Sequence, residues 1–431
     1  MSTLSITGGV PLRGTVQISG AKNAASKMII ASLLTSEKII LHNIPLQQES
    51  DIALELVRMV GASATLEDHT GHLQATHVTS ASTLAQSRKN RLSILMAAPL
   101  LHRIGEAHII RVEGDKIGPR PVNFHLDALQ KMGANIQETI DGWHLSTKEP
   151  LRGISVELPY PSVGATETIL FAAVLAQGRT VIRNAAIEPE IQELIMMLQK
   201  MGAIIELQAG RVIEVIGVVE LGGCEHTVLP DRLEVASYAC LALATRGEIH
   251  CKGAQHRDVV TFLNATRQLG GDFKVKEDGI TFIGKSTYKA LTITTDTFPG
   301  FSTDWQQPFV VLMTQAGGES KVHETVYSDR FKYIEALNFM GANINIEYLP
   351  QEITGEFQLQ NYAQSAVVKG PTALRASHMT VPDIRAGLAY VVAACVAEGT
   401  STIDGLEHLE RGYENLIGKL RAIGAQIHLV D

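Results

Sequence analysis

A glycine that stops an amphipathic helix recurs six times along this 431-residue chain. It stands in Val60-Gly61-Ala62, Met132-Gly133-Ala134, Met201-Gly202-Ala203, Leu269-Gly270-Gly271, Met340-Gly341-Ala342 and Ile423-Gly424-Ala425. The intervals are 72, 69, 68, 71 and 83 residues, too even for chance. A helix commonly ends on a residue in the left-handed region, which glycine enters at little steric cost. A β-branched strand follows each stop, and before each amphipathic helix comes a second helix that is apolar almost all round. These apolar runs are Ser26–Leu34, Leu92–Leu101, Thr168–Ala176, Val235–Ala244, Phe309–Gln315 and Ala386–Ala397. Helices of that kind are buried. Six copies of one supersecondary unit suggest two globular lobes of three units rather than an open solenoid.

Composition removes several function classes. Hydrophobic residues make up 45% and charged residues 19%, which is enough apolar surface for large cores. A net charge of −8 argues against a nucleic-acid binder. The four cysteines, Cys224, Cys240, Cys251 and Cys395, form no C-x-x-C pair, as expected of a reduced compartment with no disulfide framework and no zinc site. The N-terminal MSTLSITGGVPLRG lacks the pattern of a signal peptide. The longest apolar run, near Ala386–Ala397, is shorter than the roughly 20 residues a membrane span needs. A soluble cytoplasmic protein is expected. No Walker motif, dinucleotide fingerprint or zincin motif occurs, and the fifteen histidines show no metal-ligand spacing, so neither metal nor cofactor is expected.

Polar residues concentrate where the apolar helices begin. Asp231, Asp304 and Asp383 read as N-caps, which accept hydrogen bonds from free backbone N–H groups. The cations Lys22, Arg91, Arg232 and Arg385 fall in or near first turns, where the helix dipole disfavours them. One reading lets each side chain reach solvent. The other has cation and helix N-terminus bind an anion together, and four cases among six helices favour it. Gly114–Pro121, carrying Lys116 and Arg120, is punctuated as a loop, and Arg411 precedes the last amphipathic helix.

Ser19-Gly20-Ala21-Lys22-Asn23-Ala24, Pro161-Ser162-Val163-Gly164-Ala165-Thr166, Leu229-Pro230-Asp231-Arg232, Ser328-Asp329-Arg330-Phe331 and Arg411-Gly412-Tyr413 resemble, in order and over essentially the whole chain, the UDP-N-acetylglucosamine 1-carboxyvinyltransferase family. This is the MurA type within the EPSP synthase superfamily. The resemblance implies an inside-out α/β barrel of two lobes, each of three βαβαββ units. One lobe spans residues 21–229 with a mobile loop at about 111–122. The other spans 1–20 plus 230–431, with the active site in the cleft between them.

It further implies that Lys22, Arg120 and Arg411 hold phosphoenolpyruvate and its leaving phosphate. Asn23, Arg91, Pro121, Val122, Ser162, Val163, Gly164, Asp304 and Val326 would contact UDP-N-acetylglucosamine, while Arg385, Asp383, Asp231, Glu234 and Arg330 support them. Lys22, Asp304 and Asp115 carry the catalytic roles, Asp304 as base for the sugar 3-hydroxyl. Most members have Cys where this chain has Asp115, and the Asp form is expected to resist fosfomycin. A free aspartate has a pKa of about 3.9, so Asp115 could act as an acid at neutral pH only if the closed site raised it. Tyr160, Lys116 and Ala98-Pro99 depart from the family pattern, and the stretch from Gln351 to Pro382 looks longer than in relatives. They leave open a paralogue acting on another nucleotide or sugar, and a non-catalytic UDP-sugar binder is the remaining alternative. A monomer is favoured.

Overall fold

The computed structural model describes residues 3–88, 90–112, 121–327, 329–348, 364–381 and 384–430. All six stop glycines take left-handed backbone, with φ between 87° and 111°. The chain divides into two compact units, Met1–Ser19 with Pro230–Asp431 and Gly20–Gly114 with Arg120–Leu229.

Five of the copies share one strand order, and the second has only an isolated bridge, Ser82 to His108, in the place of the first strand. A first strand lies parallel to the strand that follows the buried helix, and an antiparallel pair completes the sheet. The fourth copy shows it fully. Arg13–Gln17 pairs in parallel with Glu248–Lys252, which pairs antiparallel with Gly279–Ile283, and that with Asp272–Lys276. The same order governs Ser155–Glu157, Arg179–Arg183, Val212–Ile216 and Ile204–Gln208. Each unit therefore has three sheets, all six separate and open among the described residues, so no closed β-barrel is present.

Three strands sit far from the rest of their sheet in sequence, Arg13–Gln17 being the first of them. Thr3–Thr7 lies between Thr400–Asp404 and Gln426–Val430, completing the sixth copy from the opposite end of the chain. Cys224–Thr227 pairs in parallel with Ile39–His42 and so supplies the first strand of the first copy. Where the chain leaves one unit for the other, Asp231 N donates to Ser19 O at 2.9 Å and Ala21 N donates to Leu229 O at 2.7 Å.

Helices Arg232–Ala244, Gln306–Met313 and Ile384–Val396 pack on one another inside the first unit. Every residue of Arg232–Ala244 is buried, including Arg232 itself. In the second unit the 3₁₀ turn Leu92–Met96 touches both Lys22–Ala31 and Val163–Ala173. The buried helices begin earlier than their apolar runs: at Lys22 rather than Ser26, Val163 rather than Thr168, Arg232 rather than Val235, and Gln306 rather than Phe309. Three of these first turns carry charged or amide side chains and the fourth, residues 163–166, is made of small residues around a glycine, so hydropathy alone starts them about one turn late.

Candidate active site

The polar words that precede the apolar runs are thus the first turns of the helices themselves. In the second unit Lys22 and Asn23 open the helix Lys22–Ala31, whose cap residue Ala21 offers no side-chain acceptor. Ser162 caps Val163–Ala173, its hydroxyl accepting from Ala165 N at 3.3 Å. Val163 and Gly164 form the first turn, leaving backbone N–H groups at a helix terminus suited to an anion. Arg91 stands immediately before the 3₁₀ turn Leu92–Met96, with Asn90 Oδ1 accepting from Leu92 N at 2.8 Å and Ser93 N at 3.1 Å. Val122 precedes the helix Asn123–Lys131 and is buried, whereas Pro121 is exposed.

His125 ties these pieces together, and no sequence signal marked it. The buried ring bonds Thr168 Oγ1 through Nδ1 at 2.7 Å. A Cβ on Gly164 would come within 3.0 Å of its Cε1 and 3.2 Å of Nε2, so glycine is what lets the helix terminus approach the imidazole. Burial first, and then the Arg91 charge, depress the His125 pKa to about 3, so the ring stays neutral beside the guanidinium. The structure therefore groups Arg91, His125 and Ser162–Gly164.

In the first unit the central polar group surrounds Asp304. This residue does not cap a helix: Ser302 Oγ accepts from Asp304 N at 3.3 Å, and Asp304 lies within the 3₁₀ turn Thr303–Trp305. Freed from capping, its carboxylate accepts from Arg330 Nη2 in an ion pair whose arginine is buried. Arg330 Nε donates to the Gln307 carbonyl at 2.9 Å, and that amide's nitrogen donates to Thr303 O at 3.2 Å. The guanidinium also lies over the Tyr327 ring at 5.5 Å.

Beneath this pair is Glu324, fully buried at the end of the strand Ala316–Glu324 and also absent from the sequence reading. It accepts from Thr303 Oγ1 at 2.8 Å, Val326 N at 2.8 Å and Tyr327 N at 3.1 Å. Burial raises its pKa, opposed first by Arg330 and then by these hydrogen bonds. Val326 is thereby fixed through its backbone.

Asp231 is the N-cap the sequence called for, accepting from Leu233 N at 2.8 Å and Glu234 N at 3.3 Å. Glu234 accepts from Ser19 N at 2.8 Å and Lys419 Nζ at 2.5 Å, fastening the strand that leads out of this unit. Arg232 presents its guanidinium to Phe298 at 5.7 Å and Trp305 at 5.5 Å, so the start of this helix meets the turn that holds Asp304. Arg411 ends the short helix Leu406–Glu410, which packs on Ile384–Val396. Arg385 lies in that second helix. Asp115, Lys116, Arg120 and Asp383, most of the loop at 111–122, and residues 351–363 of the long stretch lie outside the described residues.

The fold defines the class: a six-copy α/β protein with the fold of the enolpyruvyl transferases, here with cations and carboxylates at the starts of its buried helices. The enolpyruvyl transferase NikO from Streptomyces tendae has the same fold at a TM-score of 0.87, with 21% identity and coverage of 100% of this chain and 99% of that one. EPSP synthase from Acinetobacter baumannii aligns at 0.78 with 18% identity, covering 100% of both chains. Residues 6–420 match the family profile described as EPSP synthase (3-phosphoshikimate 1-carboxyvinyltransferase). The UDP-N-acetylglucosamine 1-carboxyvinyltransferase of Protochlamydia amoebophila is 43% identical over 443 residues, covering 100% of this chain and 95% of that protein. That of Chlamydia pneumoniae is 40% identical, covering 100% and 96%. The chain belongs to the UDP-N-acetylglucosamine 1-carboxyvinyltransferase family.

Proposed function

We infer that this chain transfers the enolpyruvyl group of phosphoenolpyruvate to the 3-hydroxyl of UDP-N-acetylglucosamine and releases phosphate, the first committed step of peptidoglycan precursor synthesis. The observation that carries this reading is the 40–43% identity, across the whole chain, to proteins named for that reaction. The same identity weighs against a paralogue with another acceptor. Four free cysteines, and no described helix long and apolar enough to cross a membrane, are in keeping with a cytoplasmic setting.

The chemistry proceeds by addition and elimination. As the sugar oxygen bonds to the central carbon of phosphoenolpyruvate, its proton passes to Asp304 and the methylene carbon gains a proton from Asp115. The resulting ketal then returns a proton from its new methyl group to Asp115, the carbon–oxygen bond to phosphate breaks, the phosphate leaving with the proton held by Asp304, and the double bond re-forms. Arg330 orients the base, since its buried guanidinium fixes the carboxylate rotamer. Lys22, Arg120 and Arg411 balance the phosphoryl and carboxylate charges. Preorganised cations of this kind typically supply the largest share of such a rate enhancement. Asn23, Arg91, Pro121, Val122, Val326 and the Ser162–Gly164 turn hold the nucleotide sugar, with Arg385 and Asp383 in support.

The test is phosphate release from phosphoenolpyruvate with UDP-N-acetylglucosamine. The parent chain should be active and indifferent to fosfomycin, and Asp115→Cys active and inhibited. Asp304→Asn should lose roughly 10²–10⁴ in kcat, the usual contribution of a positioned base. Absence of phosphate release by the parent chain overturns the acceptor assignment, and full activity of Asp304→Asn overturns the role given to Asp304.

A further inference from the structure

The sheet made by Glu106–Ile110, Gly142–Ser146 and Asn135–Glu138 gives only one face to the core. Ala107, Ile109 and Leu145 are buried, and strand alternation places Glu106, His108 and His144 on the other face. His108 stands directly opposite His144 in the antiparallel register, the two rings 4.3 Å apart and 9° from parallel. Glu106 Oε1 lies 3.1 Å from His108 Nε2 and 2.8 Å from His144 Nε2. The three donor atoms fall within 4.8 Å of one another. His108 and His144 are 36 residues apart, so inspection of the sequence for metal-ligand spacing passes over them, and only the register brings them together.

We propose that Glu106, His108 and His144 form a surface site for a divalent transition-metal ion. Two imidazole nitrogens and one carboxylate oxygen suit Zn²⁺, Cu²⁺ and Ni²⁺, and disfavour Mg²⁺ and Ca²⁺, which take oxygen ligands. Three protein donors leave further coordination positions to water. The near-parallel rings must splay for one ion to lie in both ring planes. Both imidazoles are partly exposed, so side-chain torsions alone can provide this while the core face stays packed. The surface pairs His42–Glu225, His250–Asp278 and His378–Asp404 each offer one imidazole. The site joins strand Glu106–Ile110 to strand Gly142–Ser146 through side chains, so the ion acts as a clamp on the folded sheet.

The experiment uses the full-length, tag-free chain with Zn²⁺ alone by calorimetry and Cu²⁺ alone by electron paramagnetic resonance. One ion per chain with two nitrogen couplings is expected, and no heat with Mg²⁺. His108→Gln and His144→Gln should each weaken binding by more than about tenfold, the lower bound that even outer partners of a ligand set. Both variants should release phosphate as the parent chain does, which reports that they are folded. A His108→Gln/His144→Gln chain that binds as tightly as the parent, or a Cu²⁺ spectrum with fewer than two nitrogens, overturns the proposal.

Discussion

Glu167 lies one turn inside the helix Val163–Ala173 and is almost wholly buried. Burial, and to a lesser degree the charges of Glu190 and Glu188, raise its pKa to about 7, while Lys27 pulls the other way. The ordinary value for this group is 4.5. Between these two values the folded protein keeps a proton that the unfolded chain has released. Unfolding there gives up protons, so stability falls as pH rises, by at most about 1.4 kcal/mol per pH unit. Over the full window the loss is about 3 kcal/mol, and it is complete above pH 7.

Replacing Glu167 by Gln removes the titration and keeps the shape. The variant should match the parent chain near pH 5 and exceed it at pH 8 by about 2–3 kcal/mol, the lower figure allowing for the lost attraction to Lys27. In a unit of this size that corresponds to roughly 4–12 °C in Tm. Urea denaturation at pH 5, 6, 7 and 8, with hydrogen exchange on the Val163–Ala173 amides, reads the difference between the two proteins, so other titrating groups cancel. A stability difference that is constant from pH 5 to pH 8, or one that favours the parent chain at pH 8, would refute the reasoning.

Two further outcomes follow from the site and the repeat. Arg330→Gln breaks a buried ion pair and leaves Glu324 without its cation, at a cost of about 3–5 kcal/mol by chemical denaturation. Adding Glu324→Gln should recover about 0.5–3 kcal/mol of that loss, and strict additivity in the double-mutant cycle would count against the coupling. Gly202→Ala meets open space at φ 101° and should cost only the backbone penalty of about 1–2 kcal/mol. Gly61→Ala also drives a Cβ to 2.5 Å from Thr79 Oγ1 and should cost more, as comparative thermal melts would show.

The repeat was legible because glycine stops and apolar periodicity are local properties. The five intervals led to three sheets per unit, and the resemblance implied that the N-terminal strand returns to join the C-terminal part of the chain. Helix starts were harder to read, since Lys22, Arg232 and Gln306 stand in polar first turns, and Val163 in a glycine-containing one, that hydropathy treats as loop. Asp304 read as an N-cap, a role that Ser302 fills, because capping depends on backbone geometry that a serine and an aspartate two residues apart can each satisfy. His125, Glu324 and Glu167 carried no sequence signal. Each matters through neighbours that only the fold supplies, as with His125 and Thr168, Glu324 and Thr303, or Glu167 and Lys27. The pair His108 and His144 was hidden for the same reason.

The strand Thr3–Thr7 has consequences for synthesis on the ribosome. It is flanked on both sides by strands that begin at Thr400 and Gln426. Translation at about 5–20 residues per second takes roughly 20–90 s to deliver them. Meanwhile the second copy, from its strand Glu106–Ile110 to Asn135–Glu138 and Gly142–Ser146, emerges as one contiguous piece and can form its sheet at once. Thr3–Thr7 is therefore made long before the two strands it pairs with. Through that interval the nascent chain carries an alternating apolar strand with both edges open, which is the kind of segment that ribosome-associated chaperones exist to shield.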